Sequence, residues 1–529
     1  MTTASSPSAN ATLWRRHELV FQGPTEGNPF LDVELAVVFS RGGREVRATG
    51  FYDGDGVYRL RLMPDEKGTW SWRSQSNAAA LDGRSGSFDV GEAQPKDHGP
   101  VRVHRTHHFR YADGTPYFNV GTTAYVWNLQ GEDLERQTLA TLAQAPFTKI
   151  RMCVFPKHYR YNQNEPDLYP FKLLSKGESR WPNPDAFAGW SFDFDQFEPA
   201  YFRHLEQRID DLAALGIEAD LILLHPYDRW GFSRMAAAQD DRYLRYVGSR
   251  LAAFSNVWWS MANEYDFMAN KSLADWNRMI DVVASTDPHG HLLSIHNGFA
   301  PFDYAHPQIT HVSIQRPYTD RSTQWRETFG KPVSIDECRY EGDIGESWGN
   351  ISAEELVHLF WLGTVCGGYI THGETYYNDD EVLWWARGGK LVGQSVARIA
   401  FLRRILEAGP DDGLDPMPFT GHYRIEKAGG LDHVTLPELI GPAPGQEAWL
   451  KASIHYPTAG RDHAYYLSYF GNFQPREVQV AVPPGETYSA TLLDTWEMTE
   501  TQVAARVSRG DLLTIRPKPR QALLLRRLA

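Results

Sequence analysis

The chain has little cysteine, no excess of basic charge and no long apolar run. Only Cys153, Cys338 and Cys366 occur in 529 residues, too few and too scattered for a disulfide framework or a thiolate metal site. Each lies in an apolar, strand-like stretch and reads as a small buried hydrophobe. Acidic residues outnumber basic ones by 66 to 53, a net charge of −13. That excludes nucleic acid or an anionic membrane as the main partner, because both are held by basic surface. No window approaches the roughly 18 apolar residues of a membrane span. The opening MTTASSPSANATLWRRHELV lacks the charged start and apolar core of a secretory signal, so a cytoplasmic protein is expected. A phosphate-binding P-loop, a dinucleotide glycine fingerprint and an HExxH zinc helix are missing as well; neither a cofactor nor a metal is expected.

What is present is a folded, aromatic-rich chain. Hydrophobic residues make up 42% and aromatics 13%, with 17 Trp. Flat sugar faces stack on such rings, so the composition is compatible with a carbohydrate ligand, although large cores use Trp too. The length predicts several domains. From Trp14 to Val90, short alternating segments (DVELAVVFS, REVRATGFY, GVYRLRLMP, GTWSWRSQS, GSFDV) are separated by GG, DGDG, DEKG and DGRSG turns, the spacing of an antiparallel β-sandwich. GEAQPKDHGP then reads as a linker. Residues 1–98 are therefore expected to form an Ig-like sandwich, 99–408 a central domain, and 409–529 a second sandwich built from WLKASIHYP, HAYYLSYFG, REVQVAVPP, TYSATLLDTW and the segments that follow.

In the central domain the rhythm changes to strands alternating with helices. The helix over 201–215 carries Phe202, Leu205, Ile209, Leu212 and Leu215 on one stripe. IEADLILLH is apolar throughout, as a strand covered on both faces must be. Eight strand candidates, with the helix of SAEELVHLFWLGTV capped by Ser352 before the last, predict a (β/α)8 barrel flanked by two antiparallel sandwiches. The stretch from 158 to 197 has no periodicity and reads as a long aromatic loop; with the DRWGFS segment it is expected to wall a pocket.

Functional side chains of such barrels lie at the C-terminal ends of the strands. In strand order these are Trp127, Arg151, His225 with Asp228, Asn263 with Glu264, His296 with Asn297, Gln315 with Tyr318, Glu337, and His372 with Glu374. Two runs, VWWSMANEYDF and PVSIDECRYEG, deliver Glu264 and Glu337 from the fourth and seventh strands. A close pair of carboxyls is the minimal machinery for glycoside hydrolysis. Asp336 is the rival to Glu337, and strand alternation is expected to turn it to the other side.

The Asn-Glu of the fourth strand and the Glu of the seventh resemble the catalytic signature of the large clan of retaining glycoside hydrolases on (β/α)8 barrels, and in particular its poorly characterised apiosidase-like group. GFYDGDGVYRLRLMPDEKGTWSW resembles the sandwich of unknown function that precedes such barrels. The resemblance implies Glu264 as general acid/base and Glu337 as nucleophile. It implies that Asn263 bonds a sugar hydroxyl and that Arg151 and Tyr318 keep Glu337 ionised. Trp127, His225, Asp228, Trp230, His296, His372 and Glu374 are the further candidates for substrate contact. The expected activity is a retaining exo-glycosidase on oligosaccharides or small glycosides. Two other readings stand beside it: a carbohydrate-binding barrel without turnover, and a metal-dependent hydrolase using His225, Asp228, His296 and His372. The chain is compatible with a homo-oligomer.

Overall fold

The computed structural model describes residues 10–177, 189–417, 423–424, 456–472, 475–480, 482–516 and 518–529. Its centre is a closed ring of eight parallel strands: β1 (Gly121–Thr123), β2 (Lys149–Cys153), β3 (Glu218–Leu224), β4 (Val257–Ala262), β5 (Leu293–Ser294), β6 (Val312–Gln315), β7 (Val333–Glu337) and β8 (Gly368–His372). Seven neighbouring pairs share ladder bonds, with β8 returning to β1. The last gap, between β5 and β6, is closed by the single bridge His296–Ser313. The expected (β/α)8 barrel is therefore present.

The helices pack around it as the apolar stripes predict. They are α1 (Glu132–Leu142), α2 (Pro199–Leu215), α3 (Ala237–Leu251), α4 (Leu273–Thr286), α5 (Ser322–Phe329), α6 (Ala353–Val365) and α7 (Ser395–Glu407). Phe202, Leu205, Ile209 and Leu212 are buried on α2, and Ser352 caps α6 by accepting from the Glu355 N–H. Every residue of β2, β3 and β4 is buried, as a parallel sheet covered by helices requires. A hairpin of Val101–His104 and His108–Tyr111 packs Val101 and Phe109 with Trp258 and Leu292 below the barrel. The lower end is thus plugged, and the mouth lies at the opposite, C-terminal ends of the strands.

At the N-terminus a five-stranded sheet, antiparallel except for the parallel edge strand Ala11–Thr12, and a three-stranded antiparallel sheet enclose a core of Val37, Phe39, Leu60 and Trp70. At the C-terminus, six- and three-stranded sheets enclose Tyr466, Val480, Leu523 and Leu525. WLKASIHYP falls, except for its last two residues, outside the described residues. The stretch read as an aperiodic loop holds an antiparallel pair, Phe171–Ser175 with Ser191–Phe197. Its apolar face is recognisable only in place, where Phe171, Phe192 and Phe197 bury against Phe232 and Tyr246.

Candidate active site

β4 ends at Ala262, and Asn263 and Glu264 follow at the barrel mouth. Glu264 adopts φ 54° and ψ 56°, a left-handed conformation that non-glycine residues rarely hold and that concentrates at functional sites. Glu337 is the last residue of β7. The Gln315 amide, turned so that its nitrogen faces the acids, stands 3.2 Å from Glu337 Oε2 and 3.3 Å from Glu264 Oε1. Those two oxygens are therefore no farther apart than the two bonds laid end to end.

The remaining partners differ. Glu337 Oε1 takes a hydrogen bond from the Tyr125 hydroxyl and a 3.4 Å contact from Arg151 Nη1. Glu264 Oε2 takes a hydrogen bond from the Tyr227 hydroxyl and a 3.1 Å bond from Asn263 Nδ2. Asn263 Oδ1 closes the circle, accepting from Tyr125 at 3.0 Å and from Arg151 Nη2 at 3.4 Å. Burial, reinforced by the Glu337 charge, pushes the Glu264 carboxyl up to about 7. It is therefore about half protonated at neutral pH, the state needed of an acid that must also act as a base.

Beneath the two acids lies a layer of buried charge. Lys149 Nζ sits 3.1 Å from Asp220 and 2.8 Å from Asp336, and Arg151 Nε lies 3.7 Å from Asp220. Ser313, Ser334 and Thr371 also donate to Asp336. These contacts hold Asp336 far below the usual carboxylate range. Asp336 faces the barrel interior one layer below Glu337, and simple alternation does not turn the two apart. The register shifts there, Ile314 pairing with Ile335 but Gln315 with Glu337, so Asp336 is the extra residue of a bulge.

A third cation, Lys157, is fully buried in an aromatic cage. Its Nζ lies 3.4 Å from the ring centre of Tyr125, 4.1 Å from Tyr227, 4.6 Å from Tyr159 and 5.4 Å from Trp385. Among the described residues no carboxylate lies within ion-pair distance of it. Burial lowers its pKa, opposed by the nearby Glu264 and Glu337 carboxyls, while the π faces favour the charged form. The two cage tyrosines nearest the ammonium are the two whose hydroxyls bond the acids. Lys149, Arg151 and Lys157 thus face Asp220, Asp336, Glu337 and Glu264, three cations against four carboxyls.

The other expected residues are placed as follows. His225 Nε2 contacts the Phe155 carbonyl at 3.3 Å, and burial drives its ring down to about 3. The Asp228 carboxylate is occupied by the N–H groups of Trp230, Gly231 and Ser233 at 2.7, 3.2 and 2.7 Å. Trp230 and Trp127 are buried in the core. Among the described residues both ring nitrogens of the buried His296 lack a partner, and burial holds it neutral. His372 stacks on Phe147 and contacts Thr122; Thr371, one residue earlier, is the side chain that reaches Asp336. Glu374 is buried and accepts from Val392 and Gly393 N–H at 2.7 and 2.8 Å, beside Glu341, which accepts from Gln394 and Ser395 at the start of α7. Tyr318 is 55% exposed, and among the described residues no hydrogen bond joins it to Glu337. His225, Asp228, His296 and His372 are not drawn together: among the described residues no group of three or more His, Cys, Asp or Glu could hold a metal. Nor is any helix there long and apolar enough to cross a membrane.

Tyr125, Lys157 and Tyr227 were not anticipated. They lie two to four residues beyond the ends of β1, β2 and β3, so the strand-end rule finds them only if carried into the loops.

The sequence profile described as "Apiosidase-like, catalytic domain" matches residues 104–401. Two profiles of domains of unknown function, DUF5060 and DUF5605, match residues 10–77 and 455–518. A candidate glycoside hydrolase from Bacteroides vulgatus ATCC 8482 is 36% identical, with 98% of this chain and 100% of that one covered at a TM-score of 0.85. A glycoside hydrolase of family 5 from the same organism, 14% identical, covers 82% of this chain and 94% of its own at 0.58. Another solved glycoside hydrolase, also 14% identical, gives 82%, 98% and 0.59; these two show a common fold. Among proteins of curated function no sequence matches the chain.

Proposed function

The chain belongs to the apiosidase-like family and is glycoside hydrolase-like, and from that premise we propose that it is a retaining exo-glycosidase with Glu337 as nucleophile and Glu264 as acid/base. The observation that carries the reading is the Gln315 bridge. It holds Glu337 Oε2 and Glu264 Oε1 no farther apart than the roughly 6.5 Å at which the gap of an inverting pair begins.

The chemistry follows from the two environments. Ionised Glu337, with Arg151 and the Tyr125 hydroxyl on Oε1, attacks the anomeric carbon. The bond to the leaving-group oxygen breaks and that oxygen takes the Glu264 proton. Glu264, now a carboxylate, removes a proton from water, which attacks the glycosyl-enzyme ester and releases the sugar with its original anomeric configuration. The surroundings support this division: Glu337 has the Arg151 guanidinium in contact, whereas Glu264 has only neutral partners and its carboxyl is pushed up to about 7.

Exo action is supported by the walls. On the Glu337 side the loops after β2 and β7 are latched together, Arg160 Nη1 meeting Glu346 Oε1 at 2.7 Å and the Tyr161 hydroxyl bonding Oε2. Trp348 and Trp385, 4.9 Å apart, pack behind them. Such a wall leaves room for a terminal sugar rather than a through-running chain.

A panel of aryl pentosides and hexosides in both anomers, with apiosides included on the strength of the family's description, should identify the glycone. Proton NMR of the first product should then show retention. Initial release of the opposite anomer would overturn the double-displacement reading.

A further inference from the structure

Beyond Glu264 the rim of the barrel carries exposed rings, unlike the latched Glu337 side. Phe299 is 78% exposed and Phe267 is 37% exposed, and their ring centres are 5.2 Å apart. Single exposed hydrophobic side chains are ordinary, but these are braced. Asp266 accepts from three successive N–H groups, those of Gly298, Phe299 and Ala300, at 2.6, 2.7 and 2.8 Å. The Arg316 guanidinium donates to the Gly298 carbonyl at 3.1 Å and to that of Phe299. Glycine at 298 lets the Phe267 ring lie directly on the backbone, since a Cβ there would come within 2.4 Å of that ring and displace it. The same assembly is tied to Glu264 itself: the Phe267 N–H bonds the Glu264 carbonyl, and the Tyr265 N–H bonds that of His296, each at 3.0 Å. A carboxylate, a guanidinium and a glycine are thus committed to holding an apolar ring in water, a few residues from the acid/base.

We propose that Phe299 and Phe267 form the stacking platform for the leaving group of the substrate, a sugar or phenolic ring presented by its apolar face. The placement rests on the reading of Glu264 as proton donor, because the leaving-group oxygen must come to that carboxyl and the ring behind it then lies over the next turns of chain. The platform holds the departing ring by its face, where stacking is tolerant of the substituents around the edge.

The test uses one sugar, the glycone found by the aryl-glycoside panel, as two probes. The 4-nitrophenyl glycoside has a ring to stack; the glycosyl fluoride has none and needs no proton from Glu264. Phe299→Ala should lose at least about tenfold more kcat/KM on the nitrophenyl glycoside than on the fluoride, chiefly through KM, and Phe299→Tyr should restore it. Equal changes on both probes would overturn the platform. Binding gives an arm that does not depend on turnover. Millimolar 4-nitrophenol should show saturation transfer in ligand-observed NMR with the wild type that is lost in Phe299→Ala, and transfer that is absent from the wild type or unaltered by the substitution would sink the proposal. Failure of the Glu264 reading looks different: Glu264→Ala would then lose as much on the fluoride as on a glycoside with a poor leaving group, whatever Phe299 does.

Discussion

The seam between the N-terminal sandwich and the barrel buries carboxylates as deeply as the barrel mouth does, and with the opposite result. Asp53 is 6% exposed, Glu206 7% and Glu264 7%. At the seam Asp53 meets Arg59, Arg203 and Arg250 at 2.6, 3.1 and 2.8 Å, and Glu206 meets Arg61 and Arg250 at 2.8 and 2.7 Å. Although burial opposes it, Arg250 and its neighbours hold both acids below the usual carboxylate range. At the mouth Glu264 touches Tyr227, Asn263 and Gln315, all neutral, and rises to about 7. Equal burial therefore does not fix the ionisation of a carboxyl; at these three acids the difference lies in the cations in contact. Glu264, with no cation in contact, is left able to exchange a proton near neutral pH, the property an acid/base needs.

The largest break in that contrast is at Glu337. Glu337→Gln should lower turnover by at least about 10⁴-fold, as removal of a nucleophile does, while thermal melting shows an intact fold. Retention of near wild-type rates would remove Glu337 from the mechanism. Next comes the seam. Arg250→Met takes a partner from both Asp53 and Glu206, and breaking a buried ion pair costs about 3–5 kcal/mol; the lower end is expected because Arg59 and Arg61 remain. In the wild type both folded-state values lie below the unfolded one. Their stabilisation is therefore present above about pH 4 and lost as the pH falls through the lowered values. Arg250→Met should flatten that acid slope of the melting temperature and leave the pH dependence of kcat/KM where it was. A variant that shifted the activity profile instead would show that seam and mouth are one electrostatic unit.

The smallest effect sharpens the contrast from the other side. Activity that needs protonated Glu264 should fall as the pH rises through about 7. Lys157 opposes the upward shift of Glu264, so Lys157→Met should move this alkaline limb further up, by about one pH unit. A drop in rate with an unmoved limb would make Lys157 a packing residue only.

Part of this site is legible in the chain itself. The apolar run VWWSMA has to end at an edge of a doubly covered sheet, so the acid after it has to surface at the mouth, and the same holds for VSIDE and Glu337. Tyr125, Lys157 and Tyr227 escape that reasoning because loop residues have no periodicity to fix their direction. His372 and Glu374 stand at a strand end as expected, yet His372 stacks on Phe147 and Glu374 tethers the loop that leads into α7. Near the ends of short strands, alternation and loop geometry decide the outcome together.

Amino-acid order alone thus determined the layers and the two carboxyls, because hydrophobic periodicity is a local property and β-strands separated by amphipathic helices close into a barrel. Only the tertiary structure decided which acid is paired and which carries the spare proton. That depends on cations and phenols supplied from β2, from the loops after β1, β2 and β3, and from Gln315 on β6, groups far apart in the chain whose distances no spacing in the sequence encodes.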